Sequence, residues 1–350
     1  MVRAQSAPAR RGVARFVVLA ASVLVISGCA AAPIDLVVTP SPPARPAAGA
    51  AAPSAVAFAP LRGTPQVWDA LQHPSLAVKI DNHEDARPQI ALNRTDIVFE
   101  ELVEGGLTRY LAVWHSDVPE FVGPVRSIRP MDPDIATPFG GIIAYSGGQE
   151  MFVEMMMATP LANLVFDYDD TGIFERADDR PGPHDVILAA GAAVEQHAAL
   201  APPPVQFAYG NADPLAAPAL AAAPTSRIDL AFSEGRSMWW EWDPTGRVWL
   251  RSQDGTPDLE ASGERVRATN VVTLRVGIDW AYGEVPRTVL VGSGGGWASV
   301  AGRTTHVTWS KDAAGSPIAL TADDGSPLRL APGNTWVELV PIEGAATFVP

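Results

Sequence analysis

Polar residues that could bind a charged ligand are concentrated between residues 81 and 129 of this 350-residue chain. They follow apolar runs of strand length, and polar groups at strand ends are where ligand crevices form in α/β sheets. The candidate ligand-binding residues are Asp81, Asn82, Arg87, Arg109, Arg126 and Arg129. Guanidinium groups pair bidentately with carboxylates and phosphates. The alternative is that these arginines neutralise acids inside the fold, because arginine is the usual cation of this chain.

Four residues could instead carry out hydrolysis. One of Glu100 and Glu104 could be a general acid with a raised pKa and the other an ionised base, the two roles that glycan hydrolysis requires. Ser146 lies between an apolar strand and a helix, in the setting of a G-x-S-x-G nucleophile elbow, and His184 follows in the chain order of the elbow's partners. Both patterns have structural alternatives: two glycines after a strand are typical of a tight turn, and alternation places Glu100 and Glu101 on opposite faces.

The sequence matches a calcium-binding loop only in part and matches no zinc-binding motif. Asp167, Asp169 and Asp178 take positions 1, 3 and 12 of a calcium loop, although position 12 normally carries Glu, so an Asp-rich surface turn is the alternative. The six histidines lack H-x-x-x-H or H-E-x-x-H spacing, and a single cysteine excludes a thiolate zinc cluster. The run Gly292–Gly296 is interpreted as a flexible hairpin loop rather than a phosphate loop. We therefore expect no zinc and no cofactor.

The one cysteine, Cys29, predicts lipidation. Four arginines precede the apolar run Phe16–Ile26, and Ser27, Gly28 and Cys29 complete the order of a secretion signal that resembles a bacterial lipobox. The alternative is an ordinary signal peptide. Two acyl chains on Cys29 would be enough for stable anchoring, whereas the eleven residues Phe16–Ile26, all apolar except Ser22, are too few to span a bilayer. We expect residues 1–28 to be removed and the protein to be held on the extracytoplasmic face of the cell membrane.

The net charge of the chain limits the classes of molecule that it can bind. The net charge is −14, and removing residues 1–28 takes away four arginines and no acid, which leaves −18. This charge excludes nucleic-acid binding through bulk electrostatics. The 47% hydrophobic fraction is that of a globular protein.

The elements that must position these residues fall into two differently patterned segments. Residues 61–200 alternate short apolar runs with helix-like segments, which predicts an α+β or α/β sheet domain. Its strands are predicted at Leu76–Asp81, Ile97–Glu101, Arg109–His115 and Gly141–Tyr145, and its helices at Gln149–Met157 and Asp185–Ala199. Residues 29–60 predict a disordered Ala/Pro tether, and residues 201–226 predict a linker.

Residues 227–350 have period-two patterning and predict a mostly-β domain. Met238–Trp242 and Arg247–Arg251 flank an Asp-Pro-Thr-Gly turn and predict a hairpin. Further strands are predicted at Val271–Val276, Thr288–Val291, Thr304–Trp309 and Thr335–Val340. Eight of the ten tryptophans lie in this segment, and we expect most of them in the core.

The order of motifs resembles the YerB-like bacterial lipoproteins, domain-of-unknown-function family 3048. The resemblance rests on Leu76–Asp81 with Asn82, on the segments 87–89, 96–98, 103–106, 108–109, 123–127 and 147–148, and on Pro183-His184, with Asp185 where the family carries Asn. A weaker resemblance covers Asn270-Val271-Val272, Trp309-Ser310-Lys311 and residues 332–336. It implies a lipid-anchored envelope protein of mostly Gram-positive bacteria, with no established activity.

Together these features favour a non-catalytic envelope protein. We expect it to bind an anionic cell-wall polymer or a cell-wall enzyme through the arginines, and we expect no nucleic-acid partner. The alternatives are a cell-wall hydrolase that uses the paired Glu residues or Ser146 with His184, and a structural protein that docks through its β domain.

Overall fold

The computed structural model describes residues 55–350, so Cys29, the predicted signal and most of the predicted tether lie outside the described residues. The strands of the first half, in chain order, are β1 (Val56–Phe58), β2 (Pro65–Val67), β3 (Leu76–Asp81), β4 (Ile97–Leu102), β5 (Thr108–Trp114), β6 (Phe121–Val122), β7 (Ile142–Tyr145), β8 (Ala162–Val165), β9 (Phe174–Arg176), β10 (Val186–Ala189), β11 (Ala208–Tyr209) and β12 (Ala223–Pro224). The helices are α1 (Asp132–Ala136), α2 (Glu150–Met157) and α3 (Ala190–Gln196).

The remaining strands cover most of the second half. They are β13 (Arg227–Ser233), β14 (Arg236–Asp243), β15 (Val248–Gln253), β16 (Thr256–Pro257), β17 (Arg267–Ala268), β18 (Asn270–Tyr282), β19 (Val285–Val289), β20 (Gly292–Val300), β21 (Arg303–Lys311), β22 (Ala319–Ala322), β23 (Arg329–Leu330), β24 (Thr335–Pro341) and β25 (Ala345–Val349). The predicted fold class is confirmed: a mixed sheet region with few helices is followed by a region that consists mostly of strands.

One large sheet runs through both halves of the chain. Its strand order is β12-β21-β20-β18-β24-β4-β5-β3-β7-β8, with β19 paired to β18 and β22 paired to β21. The two halves join where β24 lies parallel to β4, with Thr335 opposite Ile97 and Glu338 opposite Glu100. The described residues accordingly form one compact unit.

An apolar core lies on each face of the large sheet. Successive side chains of a strand point to opposite faces, so the central strands contribute to both cores. One face packs against α1 and α2 and includes Phe99, Leu111 and Phe139. The other face packs against a six-stranded sheet built on the order β16-β15-β14-β13-β25, and includes Tyr110, Trp240 and Trp336. Of the eight tryptophans in this half, four are buried (Trp240, Trp249, Trp309 and Trp336), so the prediction that most of them are core residues holds for only half of the set.

Two predicted elements are wrong. Residues 185–199 do not form one helix, because Val186–Ala189 pair antiparallel with β6 and β9 before α3 begins. Gly292–Gly296 is not a flexible loop but the start of β20. Glycine is required there by close packing: a Cβ on Gly296 would lie 2.5 Å from the Thr273 carbonyl oxygen, and one on Gly294 would lie 2.7 Å from Trp309 Nε1.

The last residues of the predicted tether and the middle of the predicted linker have a defined structure. Val56–Phe58 pair with Pro65–Val67 at the end of the tether. In segment 201–226, Phe207 and Leu215 are buried in the core beside α1 and α2. Among residues 55–350, no helix combines the length and apolar character needed to cross a membrane.

Candidate functional site

The candidate site lies where β3, β5 and β7 end side by side. Asp81 is the last residue of β3 and is directly opposite Arg109 in the antiparallel neighbour β5. Ser146 follows β7, which is parallel to β3, so both strands deliver their carboxyl ends to the same edge of the sheet. The segment 123–129 crosses this edge, and it begins with a cis Gly123–Pro124 peptide and is held by the hydrogen bond from the Arg126 amide to the Lys79 carbonyl. Four of the predicted polar residues are therefore placed together.

Two of the arginines converge on one carbonyl group. Arg109 Nη1 donates to the Ser127 carbonyl oxygen at 2.8 Å, and Arg129 Nη1 donates to the same oxygen at 3.4 Å. Arg129 also donates from Nε to Glu104 Oε2 at 2.7 Å. Both guanidinium groups are thus fixed by the backbone of the segment that lies across the strand ends.

The third arginine shares a carboxylate with a histidine. Asp81 is almost fully buried, and its Oδ2 lies 3.1 Å from Arg126 Nε and 2.7 Å from His184 Nδ1. Arg126 keeps 21% of its side chain exposed. We call Arg109, Arg126 and Arg129 the arginine cluster.

The arginine cluster carries more positive charge than its acidic partners neutralise. Arg126 pairs with Asp81 and Arg129 pairs with Glu104, whereas the side chain of Arg109 bonds to a backbone carbonyl, so three guanidinium groups meet two carboxylates. Burial, with the nearby charge of Arg129, lowers the pKa of Arg109 to about 10. Burial opposes the charged form of Glu104, but the hydrogen bond from Arg129, a backbone hydrogen bond and the positive charges of Arg129 and Arg109 together outweigh it and lower the pKa of that carboxyl. Of its five N–H groups, Arg109 uses one in a side-chain hydrogen bond within the described residues.

The other two predicted ligand-binding residues point to the second half of the chain. Arg87 Nη2 donates to Asp254 Oδ2 at 2.8 Å, in an ion pair that Arg236 shares. The Asn82 amide donates to Thr108 Oγ1 at 2.8 Å and exchanges hydrogen bonds with Gln253 at 3.0 and 3.1 Å. These contacts join the two halves and lie apart from those of the arginine cluster.

The candidate hydrolytic residues take separate partners. Glu100 is fully buried and pairs with Arg251 at 2.6 Å, whereas Glu104 pairs with Arg129. The Ser146 hydroxyl lies 3.4 Å from the Ser127 hydroxyl, and His184 bonds to Asp81. Within residues 55–350, no hydrogen bond joins Glu100 to Glu104 or Ser146 to His184.

One of the predicted calcium residues, Asp169, forms a surface turn with the residues that follow it. Asp169 accepts hydrogen bonds from the amide and hydroxyl of Thr171, at 3.0 and 2.6 Å, and from the Gly172 amide at 3.1 Å. Among the described residues, Asp167, Asp169 and Asp178 belong to no group of three metal-ligating side chains.

Comparison with known proteins identifies the family. The family described as "Protein of unknown function (DUF3048)" matches this chain with its N-terminal domain at residues 61–200 and with its C-terminal domain at residues 228–337. The chain belongs to this family. It is also 30% identical over 303 residues to a protein of Bacillus subtilis (strain 168) named "Putative lipoprotein YerB", covering 83% of this chain and 88% of that protein.

A solved structure shows the same fold. The crystal structure of YerB protein from Bacillus subtilis matches with a TM-score of 0.72 and 23% identity, covering 83% of this chain and 99% of that chain. The predicted resemblance to family 3048 is therefore confirmed over both halves.

Motif reasoning did not anticipate a group of three metal-ligating side chains in this DUF3048 protein. Ligand atoms of His83, Asp85 and His184 all lie within 4.8 Å of one another. The imidazole rings of His83 and His184 are stacked, with centroids 4.4 Å apart and planes 17° from parallel. Spacing rules miss this group because His184 lies far along the chain from His83. The available signal was that His184 belongs to one family motif and that His83 directly follows another, Leu76–Asp81 with Asn82.

A buried ion cluster also lies on the helix side of the sheet. Lys79 is fully buried and contacts both Glu101 and Asp132, the latter at 2.8 Å. Burial, reinforced by the negative charge of Asp132, raises the pKa of Glu101 to about 8. Glu101 thus faces α1 while Glu100 faces the six-stranded sheet, which confirms the predicted opposite orientations.

Proposed function

We propose that this protein is a lipid-anchored extracytoplasmic envelope protein that binds an anionic cell-wall component through the arginine cluster. The lipoprotein name of the Bacillus subtilis relative and the lipobox-like sequence that ends at Cys29 support the location. Cys29 itself lies outside the described residues. A net negative charge leaves the lipid as the main attachment to an anionic membrane surface.

The observation that carries the binding proposal is the surplus of guanidinium donors. Arg109, Arg126 and Arg129 have two carboxylate partners between them, and a guanidinium fork matches carboxylate and phosphate oxygens. The Ser127 carbonyl holds two of the three groups in place, so little side-chain freedom is lost when a ligand binds. Arg87 is left out of this proposal because its partner is Asp254 in the second half of the chain and, among the described residues, it shares no contact with the arginine cluster.

Hydrolysis is less well supported by the same contacts. A pair of catalytic carboxylates must face one cleft, but Glu100 is fully buried against Arg251. A serine nucleophile needs a base within hydrogen-bond reach, but within residues 55–350 the Ser146 hydroxyl lies 3.4 Å from the Ser127 hydroxyl and makes no hydrogen bond to His184.

An apolar groove favours docking as a second candidate function. The groove has a volume of about 560 Å³, and its apolar lining includes Leu102, Phe232 and Trp280. Trp280 is 56% exposed, and Glu104, Glu284 and Glu343 add negative charge. This surface suits a protein segment that carries apolar and basic residues. Replacing Trp280 with Ala would weaken such an interaction and leave binding of an anionic polymer unchanged.

Thermal unfolding of residues 53–350 with and without ligand tests the leading proposal. The candidate ligands are muropeptides and phosphate-containing wall polymers, each tested at one fixed salt concentration. A ligand that binds only the folded state raises the unfolding midpoint by mass action. We expect a shift that Arg126→Gln reduces and that Arg267→Gln does not, because Arg267 pairs with Glu264 on the surface. If no anionic ligand shifts the midpoint, the arginine cluster has a structural role.

A further inference from the structure

His83, Asp85 and His184 share one small region of the surface. Their side chains are 31%, 51% and 13% exposed, so the group is accessible from solvent while His184 is largely enclosed. Two imidazoles and one carboxylate are a donor set that divalent transition metals prefer. Its ligand atoms span at most 4.8 Å before any adjustment.

The contact between His184 and Asp81 prepares the histidine for metal binding. Asp81 Oδ2 lies 2.7 Å from His184 Nδ1, and a carboxylate at that distance keeps the proton on Nδ1. The Nε2 atom then holds its lone pair free. A carboxylate that fixes the tautomer and ring orientation in this way is a recurrent partner of metal-bound histidines.

The second histidine and Asp85 have suitable spacing. His83 Nδ1 and Asp85 Oδ2 are 3.5 Å apart. Two ligand atoms bound tetrahedrally at zinc distances of about 2.0–2.1 Å are separated by about 3.4 Å. The Asp85 amide donates to His83 Nδ1 at 3.2 Å, and a metal ion at this atom would replace that single hydrogen bond.

The local charges also permit a dication. Asp81 and Asp85 supply two negative charges, while Arg126 supplies one positive charge beside the same Asp81 oxygen that His184 contacts. A metal ion would therefore meet a net negative environment. Solvent exposure of Asp85 leaves space for water in a fourth coordination position, as in open zinc sites.

We propose that His83, Asp85 and His184 bind one divalent metal ion of the zinc type, with Asp81 as the residue that orients His184. The proposal does not require that the arginine cluster binds an anion. It assigns a chemical role to a histidine from each of two segments that are far apart in sequence.

Titration calorimetry with ZnCl₂ tests this proposal on the full chain in detergent. The chain carries Cys29→Ser so that its only thiol cannot bind zinc. We expect one zinc ion per chain. His83→Ala and His184→Ala should each weaken binding by at least tenfold, and Asp81→Asn should weaken it by about 10–100-fold, the usual range for loss of such a supporting carboxylate.

The control is His306→Ala, which removes a surface histidine that contacts Asp323 at 2.6 Å. Zinc should bind this variant as it binds the parent chain. Zinc should also raise the unfolding midpoint of the parent and the control, but not that of His83→Ala, which is a surface change that leaves the fold intact. Absence of binding to the parent, or equal weakening in the His306 variant, would overturn the proposal.

Discussion

Asp81 and His184 are 103 residues apart in the sequence and are joined by a 2.7 Å hydrogen bond at the edge of the large sheet. The same Asp81 oxygen lies 3.1 Å from Arg126 Nε. One buried carboxylate therefore holds both an arginine of the cluster and a histidine of the proposed metal site. Both proposals depend on this residue for geometry, although each uses different side chains to contact its ligand.

Asp81→Asn should destabilise the fold by about 1–3 kcal/mol, because it removes a charged acceptor from two largely enclosed partners. Urea unfolding at neutral pH measures this change. The matched control is Asp323→Asn, which alters an exposed His–Asp contact and should cost less than about 1 kcal/mol. Equal costs for the two variants would contradict the structural role given to Asp81.

Arg251→Ala should be the more damaging of two arginine truncations. Arg251 and Glu100 are fully buried and join the six-stranded sheet to the large sheet. Truncation leaves Glu100 and Asp258 without their cation, at a cost of about 3–5 kcal/mol. Arg267→Ala breaks an exposed pair and should cost less than about 1 kcal/mol. Chemical denaturation measures the unfolding free energy of both variants. Equal losses of unfolding free energy would contradict the structural role given to the buried ion pair.

Glu101→Gln should flatten the dependence of stability on pH. In the folded protein the pKa of Glu101 is raised to about 8, so the folded state retains a proton that the unfolded state loses above about 4.5. The contribution of Glu101 is present at low pH and is lost as pH rises through about 8, with a slope approaching about 1.4 kcal/mol per pH unit. Unfolding free energies measured between pH 5 and 9 should fall less steeply in Glu101→Gln. An identical slope would show that Glu101 is ionised throughout.

Gly147→Ala tests the backbone beside Ser146. Gly147 has φ +149°, and a Cβ there would lie 2.0 Å from Asp167 Oδ2. Strain of this kind costs about 1–3 kcal/mol, besides any displacement of Asp167. Gly172→Ala is the control, because Gly172 also has a positive φ but has no atom within 4 Å of an added Cβ. The unfolding midpoint should fall further for Gly147→Ala than for Gly172→Ala.

The sequence was sufficient for the elements whose side-chain pattern is local. Strand β3 has its predicted bounds, and β4, β5 and β7 differ from prediction by one residue at one or both ends. Residues 185–199 were misjudged because Val186–Leu188 are apolar at consecutive positions. Such a run is compatible with a buried strand or with a helix, and pairing with β6 and β9 decides between them.

The residues of the candidate site could be predicted from the sequence, but the residues that they pair with could not. Asp81, Arg109, Arg126 and Arg129 were identified from their places after strands and turns. The ion-pair partner of each residue depends on the pairing of strands that are distant in sequence, such as β4 with β24. No local pattern specifies that pairing. The same limit hid His83 and Asp85, whose partner His184 arrives from a different segment.

Salt-dependent binding of a phosphate-containing wall polymer tests the central proposal most directly. Equilibrium binding is measured for the parent, for Arg126→Gln and for Arg267→Gln at several salt concentrations. Arg126 is part of the arginine cluster and retains solvent exposure, whereas Arg267 is an exposed arginine elsewhere. We predict that only Arg126→Gln weakens binding, by tenfold or more, and lowers its salt dependence. Equal binding by all three chains, or equal weakening in both variants, would contradict recognition by the arginine cluster.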